Sequence, residues 1–110
     1  MIHMLSRFNL KPGIDIERFS VEYYELVEQM RLEGLVSGTG KIGRRELETP
    51  MDTDEASAPE YYAVMSFENR EQLDRSYAFL LDASANNKTS HPSVMRSVQD
   101  SVFTCWQDVG

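Results

Sequence analysis

The spacing of hydrophobic residues changes at Asn69, and this change predicts two consecutive elements. From Tyr61 to Glu68 the side chains alternate between two faces, and the β-branched and aromatic residues among them are typical of a strand. Asn69 can then accept a hydrogen bond from a free amide of a first helical turn, and Gln72 can reach back to the cap. The apolar residues that follow recur on one helical face: Leu73, Tyr77, Leu80 and Leu81. A strand that ends at Glu68 is therefore followed directly by an amphipathic helix.

The N-terminal residues show the same change of spacing. One face of a first strand carries Ile2, Met4, Phe8 and Leu10, interrupted by Ser6, and the other face carries His3, Leu5, Arg7 and Asn9. Residues 11–13 break this strand, and Asp15 can cap a helix with apolar residues at spacings of three and four. These residues are Ile16, Phe19, Tyr23, Leu26, Val27 and Met30. Gly34 ends the helix, because a glycine adopts the left-handed terminating conformation without steric cost.

The middle of the chain is polar. Residues 38–43, GTGKIG, have the glycine spacing of a dinucleotide-binding loop, but they follow a helix and precede a polar strand, KIGRRELE, which reverses the required order. We therefore interpret these glycines as turn residues. Residues 47–60, LETPMDTDEASAPE, predict a long solvated loop, either a tolerated surface insertion or a lid over a pocket.

Two further elements are predicted after the second helix. Pro92 suits the first turn of a short helix that begins near His91. From Asp100 to Asp108 a last strand alternates, with Val102, Thr104 and Trp106 on one face and Phe103 and Cys105 on the other. Like the strand from Tyr61, it is apolar on both faces, which favours a strand covered from both sides.

The element order β-α-β-β-α-β predicts an α+β, ferredoxin-like fold, in which two helices cover one face of a four-stranded antiparallel sheet. At 110 residues the chain is expected to form one domain, residues 1–110. No further long element is left to cover the second face of the sheet. Burying about four large side chains there would contribute on the order of 1.5 to 3 kcal/mol each, so we predict a symmetric homodimer.

Composition narrows the choice of partners and compartment. Eleven basic and eighteen acidic residues give a net charge of −7, which disfavours binding to nucleic acid or to an anionic membrane surface. The single cysteine, Cys105, excludes an intrachain disulfide and favours a reducing compartment such as the cytoplasm. The N-terminus lacks the pattern of a signal peptide, and no apolar run is long enough to span a membrane.

His3 and Arg7 are the candidate catalytic residues. They share a strand face, about 13 Å apart at 3.3 Å per residue with Leu5 between them, so they would flank a ligand. Arg7 could hold a carboxylate or phenolate while His3 moves a proton. The alternative for His3 is a hydrogen-bonded residue without chemistry, and for His91, which could join the same site, it is capping of the short helix.

Aromatic residues add candidate ligand contacts. Tyr24, Tyr62 and Trp106, with His91, could bind an aromatic or polyketide-like molecule, because such side chains combine an apolar body with a polar tip. Tyr23 is in phase with the apolar stripe of its helix and is assigned to the core. Two widely spaced histidines and one cysteine form no metal-ligand pattern, and no Ser/His/Asp pattern appears in the sequence. Nothing specifies haem either, so no cofactor is predicted. Cys105 is expected to be a buried, inert thiol.

Three short runs resemble one protein family. LSRFNLKPG at residues 5–13, with His3 before it, is similar to the first strand of the stress-responsive α/β-barrel proteins. REQLDRSYAFLLD and SHPSVMRSV resemble their second helix and the His-Pro segment before their last strand. The resemblance implies membership of the dimeric α+β barrel superfamily, together with antibiotic-biosynthesis monooxygenases and EthD-like proteins. These proteins often carry a second histidine two residues after the proline, where this chain has Val94.

The resemblance implies more about fold than about activity, because the superfamily includes oxygenases, haem-handling enzymes, isomerases and proteins without known activity. One function compatible with the residues is binding of a small aromatic ligand, with cofactor-independent oxygenase or isomerase activity as an extension. The alternative is a stress-associated structural or interaction protein without catalysis, since no complete catalytic set is visible in the sequence.

Overall fold

A computed structural model describes all 110 residues as an antiparallel sheet with helices on one side. The strands are β1 (Ile2–Leu10), β2 (Gly38–Thr39), β3 (Gly43–Arg44), β4 (Tyr61–Phe67) and β5 (Val98–Gln107). The helices are α1 (Ile16–Leu32), α2 (Arg70–Leu81), α3 (Ala83–Asn86) and α4 (His91–Ser97). None of the helices has the length and apolar character needed to cross a bilayer.

The sheet has the strand order of a ferredoxin-like fold. β1 lies in the middle and pairs antiparallel with β4 on one side and with β5 on the other. β2 and β3 both pair with β4, at its outer edge. The predicted α+β class and element order are therefore confirmed, with α3 as an additional short helix.

The predicted polar strand over residues 41–48 is wrong in extent. Only Gly43–Arg44 of that run are in a strand, and Gly38–Thr39 form a separate strand. The sheet therefore has five strands instead of the predicted four. Gly38 and Gly43 consequently lie in strands and not in turns. Glycines and charged residues favour strands weakly, which explains why the pairing with β4 is interrupted.

Local signals set the helix ends as predicted. Asp15 accepts a hydrogen bond from the Glu17 amide at the start of α1. At its end Gly34 has φ +71°, and the Leu35 amide donates to the Met30 carbonyl at 2.9 Å, the bond of a Schellman motif. At the start of α2, Asn69 accepts from the Gln72 amide at 2.9 Å. The two main helices thus begin at the predicted caps, and α1 ends at the predicted glycine.

The core lies between the helices and one face of β1 and β4. Alternate residues of β4 are buried there: Tyr61, Ala63, Met65 and Phe67. β1 adds Met4 and Phe8, and α1 adds its entire predicted apolar stripe except Ile16, which is partly buried. The other side of the sheet, which we call the open face, carries His3, Leu5 and Arg7 of β1 with the intervening residues of β4 and β5.

α2 is turned differently from the prediction. Gln72, Leu73 and Ser76 are buried, whereas Tyr77 is 37% exposed and Leu81 is 87% exposed. Gln72 accounts for this orientation, because it accepts a hydrogen bond from the Glu68 amide at 2.8 Å and donates one to the Gly34 carbonyl at 3.1 Å. Leu81 at the C-terminal end of α2 therefore projects past the core, whereas Phe79 and Leu80 pack against it.

β5 also departs from the prediction. The helices were expected to cover one face and a second copy the other, yet in the single chain every residue from Gln99 to Gln107 is exposed, including Phe103 and Cys105 on the helix-covered face. The reason is its position at the sheet edge, where the long helices do not reach across it. The prediction of a buried thiol is wrong for the same reason, because Cys105 is exposed.

Candidate functional site

A cavity of about 500 Å³ lies between the helix-covered face of the sheet and the helices, and 14 of its 17 lining residues are hydrophobic. Residues from all three central strands and from α1, α2 and α4 line it. Its volume is in the range of small-molecule sites, which are concave and mainly apolar with a few polar groups. We call it the inner cavity.

Aromatic rings form one wall of the inner cavity. Phe8 and Phe19 lie 5.2 Å apart between ring centroids, and Phe19 and Tyr23 lie 6.4 Å apart. The Tyr23 hydroxyl is hydrogen-bonded to Thr39 Oγ1 at 2.8 Å, and burial raises the pKa of this phenol to about 12. Tyr23 therefore contributes a fixed, neutral ring, in agreement with its assignment to the core.

Few polar side chains face the inner cavity, and none of its lining residues is an Arg, Lys, Asp or Glu. The Tyr77 hydroxyl lies 3.6 Å from Cys105 Sγ and 3.7 Å from Met4 Sδ, and burial is the main cause that raises the pKa of Tyr77 to about 12. Burial lowers the pKa of His91 from its usual value of 6.5, so its ring is neutral at pH 7. The inner cavity is consequently uncharged near neutral pH.

His91 reaches the inner cavity because α4 is held against α1. The Ser90 hydroxyl donates to the Glu22 carbonyl at 2.7 Å, and the Ser93 hydroxyl donates to the Glu22 carboxylate at 2.6 Å. Ser90, not His91, occupies the N-cap of α4, and the Thr89 hydroxyl accepts a hydrogen bond from the His91 amide at 3.1 Å. The capping alternative for His91 is therefore wrong, and its ring is free to line the inner cavity.

His3 lies on the open face in a line of hydrogen bonds. Its Nδ1 is 2.8 Å from Ser66 Oγ, its Nε2 is 2.7 Å from Asp108 Oδ1, and its ring packs against Trp106 at 5.2 Å. The bond from His3 is the main cause that lowers the pKa of Asp108. The structure thus assembles Ser, His and Asp, which the sequence could not show because Ser66 and Asp108 lie 63 and 105 residues from His3.

Arg7 also lies on the open face and is paired with Asp54 of the 47–60 loop. Arg45 holds the same loop through two bonds to the Asp52 carboxylate at 2.6 and 2.7 Å. A shallow polar depression of about 440 Å³ beside this loop includes Tyr62. No residue of the loop lines the inner cavity, so the loop adjoins the open face and not that cavity.

The sheet therefore separates the predicted site residues. His3, Arg7, Tyr62 and Trp106 belong to the open face, whereas His91 lines the inner cavity. Tyr24 belongs to neither, because its hydroxyl accepts a hydrogen bond from the Ile42 amide at 2.8 Å and it lines neither depression. A common site for all six residues would need both sides of the sheet.

Sequence reasoning missed several residues of the inner cavity, among them Tyr77, Val94, Met95 and Phe103. Tyr77 and Phe103 were noted as apolar residues of a helix and a strand but assigned to core packing or cover. The signal that could have found Phe103 is its position on the helix-covered face of an edge strand. That position becomes visible only once the strand order is known.

Comparison with known proteins shows the fold. A crystal structure of a protein from Arabidopsis thaliana matches with a TM-score of 0.71 and 11% identity, covering 100% of this chain and 97% of that one. A dimeric protein of unknown function and ferredoxin-like fold from Bacteroides fragilis matches with a TM-score of 0.59 and 7% identity, covering 97% and 95%. A protein from Agrobacterium tumefaciens matches with a TM-score of 0.55 and 13% identity, covering 99% and 94%.

No protein-family model matches the chain, and no curated protein matches it either. At these identities the solved structures support the ferredoxin-like fold alone. The resemblance to stress-responsive α/β-barrel proteins and to the monooxygenases therefore stays a prediction.

Proposed function

We propose that the protein binds a small, uncharged aromatic or polyketide-like molecule in the inner cavity. The observation that carries this proposal is a cavity of about 500 Å³ in which 14 of 17 lining residues are hydrophobic. A charged ligand would be desolvated there without a partner of opposite charge, which costs several kcal/mol or more. An aromatic ligand instead finds the rings of Phe8 and Phe19.

The polar groups of the cavity favour a ligand with a hydroxyl or enol. A neutral His91 can accept the proton of such a group in a hydrogen bond, and the Tyr77 phenol, neutral at pH 7, can donate to a carbonyl. The same pair supports an isomerase function. His91 would take a proton from the carbon next to a carbonyl, Tyr77 would hydrogen-bond the resulting enolate oxygen, and the proton would return to a different atom. This transfer needs no cofactor.

The proposal is tested by thermal shift with phenols, quinones and flavonoid-like compounds, because a ligand of the native state raises the melting temperature by mass action. Met95→Trp should block the cavity and abolish the shift. Arg96→Trp is the matched control, since Arg96 is exposed on the same helix and does not line the cavity. Equal shifts in both variants would contradict binding in the cavity. No shift with any compound would favour the interaction protein without catalysis.

We further propose a cytoplasmic homodimer that forms through the open face. Val102 and Trp106 are 41% and 44% exposed there, beside the partly buried Leu5 and Val64. The ferredoxin-like protein from Bacteroides fragilis is described as dimeric, which supports the proposal. Light scattering at micromolar concentration should give twice the chain mass. Val64→Lys should reduce the measured mass to that of one chain. Val21→Lys should leave the mass unchanged, because Val21 is an exposed residue of α1.

The Ser66–His3–Asp108 line carries a second candidate function. If the ionised Asp108 accepts a hydrogen bond from His3 Nε2, Nδ1 is left to take the Ser66 proton. Ser66 could then attack an activated ester, forming an acyl-serine as the alcohol leaves with that proton. A burst of 4-nitrophenol from 4-nitrophenyl acetate should disappear in Ser66→Ala and persist in Ser101→Ala. A burst that is unchanged in Ser66→Ala would exclude Ser66 as the nucleophile. Arg7, paired with Asp54, would bind a substrate carboxylate only by exchanging that partner.

A further inference from the structure

Besides Tyr77, three large apolar side chains of the inner cavity are exposed to solvent, and this exposure places them at its opening. Leu81 at the end of α2 is 87% exposed, Met95 in α4 is 48% exposed and Phe103 in β5 is 55% exposed. All three also line the cavity. They come from three different elements, so their convergence is a feature of the folded chain and not of one apolar run. We call them the mouth residues.

A polar residue directly follows each mouth residue along the chain, and an apolar residue directly precedes it. Asp82, Arg96 and Thr104 directly follow Leu81, Met95 and Phe103 along the chain, and none of these three lines the cavity. Single exposed apolar residues are common on protein surfaces, but a cluster of large exposed apolar residues marks a place where an apolar ligand or partner binds. Here the residues of that cluster also line an apolar cavity.

The size of the inner cavity indicates what kind of apolar ligand it can hold. A cavity of about 150 Å³ is sufficient for one benzene ring. The inner cavity has about 500 Å³, so a single ring against Phe8 and Phe19 leaves more than half of it unfilled. Much of the remaining lining is aliphatic, including Leu80, Val94 and Val98.

On the basis of the proposed function, we infer that the ligand is an alkylated phenol or a similar hydroxy-aromatic molecule with an unbranched hydrocarbon chain. Its ring lies at the aromatic wall, and its chain runs along the aliphatic wall and leaves between the mouth residues. Aliphatic and flexible side chains such as Leu81 and Met95 suit a chain, because methionine adapts to irregular apolar shapes. The absence of Lys, Arg, Asp and Glu from the cavity lining excludes a fatty acid bound by a buried ion pair.

The test is calorimetric titration of the full-length protein with 4-ethylphenol, 4-butylphenol, 4-hexylphenol and 4-octylphenol, each below its aggregation concentration. Every methylene that enters the cavity or contacts the mouth should tighten Kd by about fourfold at most, from the free energy of burying a methylene. The gain should stop where the chain passes into water. A series with constant affinity, or one in which longer phenols fail to bind, would overturn the inference.

Variants locate the chain. The double variant Leu81→Ser/Met95→Ser should weaken 4-octylphenol by roughly tenfold or more and leave 4-ethylphenol within about twofold, since only the longer chain reaches the mouth. Leu32→Ser is the matched control, because Leu32 is 73% exposed on α1 and does not line the cavity. Val64→Ser reports any binding of octylphenol to the open face. A loss equal for both phenols, or seen only with Val64→Ser, would contradict a chain at the mouth.

Different results would exclude the phenol ligand and its hydrocarbon chain. If none of the phenols binds, the proposed ligand class of the inner cavity is wrong. If 4-ethylphenol binds and the longer phenols gain nothing, only the hydrocarbon chain is wrong. If the double variant changes the mass in light scattering and leaves the phenol affinities unchanged, the mouth residues contact a second copy and not a ligand.

Discussion

β4 and β5 flank the same central strand but have opposite surroundings. Alternate residues of β4 are buried under the helices, down to 0% exposure at Phe67. β5 pairs with β1 over nearly its whole length, yet no residue of β5 is buried. Both strands are similarly rich in aromatic and β-branched residues. The difference shows that composition favours the strand, whereas the position of the helices decides which strand enters the core.

The exposed apolar residues of β5 also fall into two groups. Phe103 points to the inner cavity, and Val102 and Trp106 lie on the open face. A ligand would cover the first group and a second copy the other. The proposed ligand and the proposed second copy would therefore cover opposite faces of the same strand.

The comparison predicts very different costs for truncating one phenylalanine in each strand. Phe67→Ala should lower the free energy of unfolding by roughly 3 to 5 kcal/mol, because it removes a fully buried ring and leaves a cavity. Phe103→Ala should cost less than about 1 kcal/mol without ligand, since its ring is already half exposed. Urea unfolding followed by circular dichroism measures both. Similar losses would mean that β5 is covered in solution even without ligand.

β4 and the helix ends next to it in the fold were well predicted from the sequence because their signals are local. The change of spacing at Asn69, the caps at Asp15 and Asn69, and Gly34 each act within a few residues. The burial of β5 was mispredicted because it depends on which elements lie across the sheet. Gln72, which helps to set the orientation of α2, bonds to Gly34 across 38 residues, and no local pattern reveals such a contact.

The next largest expected loss of stability comes from removing the helix cap between β4 and α2. Asn69→Ala should destabilise the protein by about 1 kcal/mol, because the Gln72 amide loses its acceptor at 2.9 Å. Asp15→Ala is the comparison at α1, where the bond to the Glu17 amide is longer at 3.2 Å and exposed, so a smaller loss is expected. A larger loss at Asp15 would show that α1 depends more on its cap than the helix beside β4 does. Both values come from the same urea titrations.

The smallest expected effect is the pH dependence of stability that comes from His91 in the inner cavity. Burial lowers the pKa of His91 from 6.5, so the unfolded chain binds this proton more readily than the folded chain. The contribution of His91 to stability is fully present above 6.5 and is lost as the pH falls below that value towards the folded-state pKa. Between about pH 7.5 and about pH 5.5, His91→Gln should therefore lose less stability than the wild-type protein. Equal losses would place the imidazole in water.

The candidate site was less predictable than the fold. His3 and Arg7 were selected because they share a strand face, and the structure pairs them with Asp108 and Asp54 from distant parts of the chain. His91 was identified as a candidate, but its cavity is formed by residues of six elements. A short pattern can identify a titratable residue, whereas the space beside it depends on the packing of the whole chain.

We expect a ligand to bind on the helix-covered side of the sheet and not on the open face. An NMR titration of the labelled protein with 4-ethylphenol distinguishes these two sites, because both sides of the sheet are observed in one spectrum. We predict that the signals of Val94, Met95 and Phe103 move in a saturable manner while the Trp106 indole signal and the Val64 amide stay within experimental error. Saturable shifts at Trp106 and Val64 without shifts at Val94 and Met95 would contradict binding in the inner cavity.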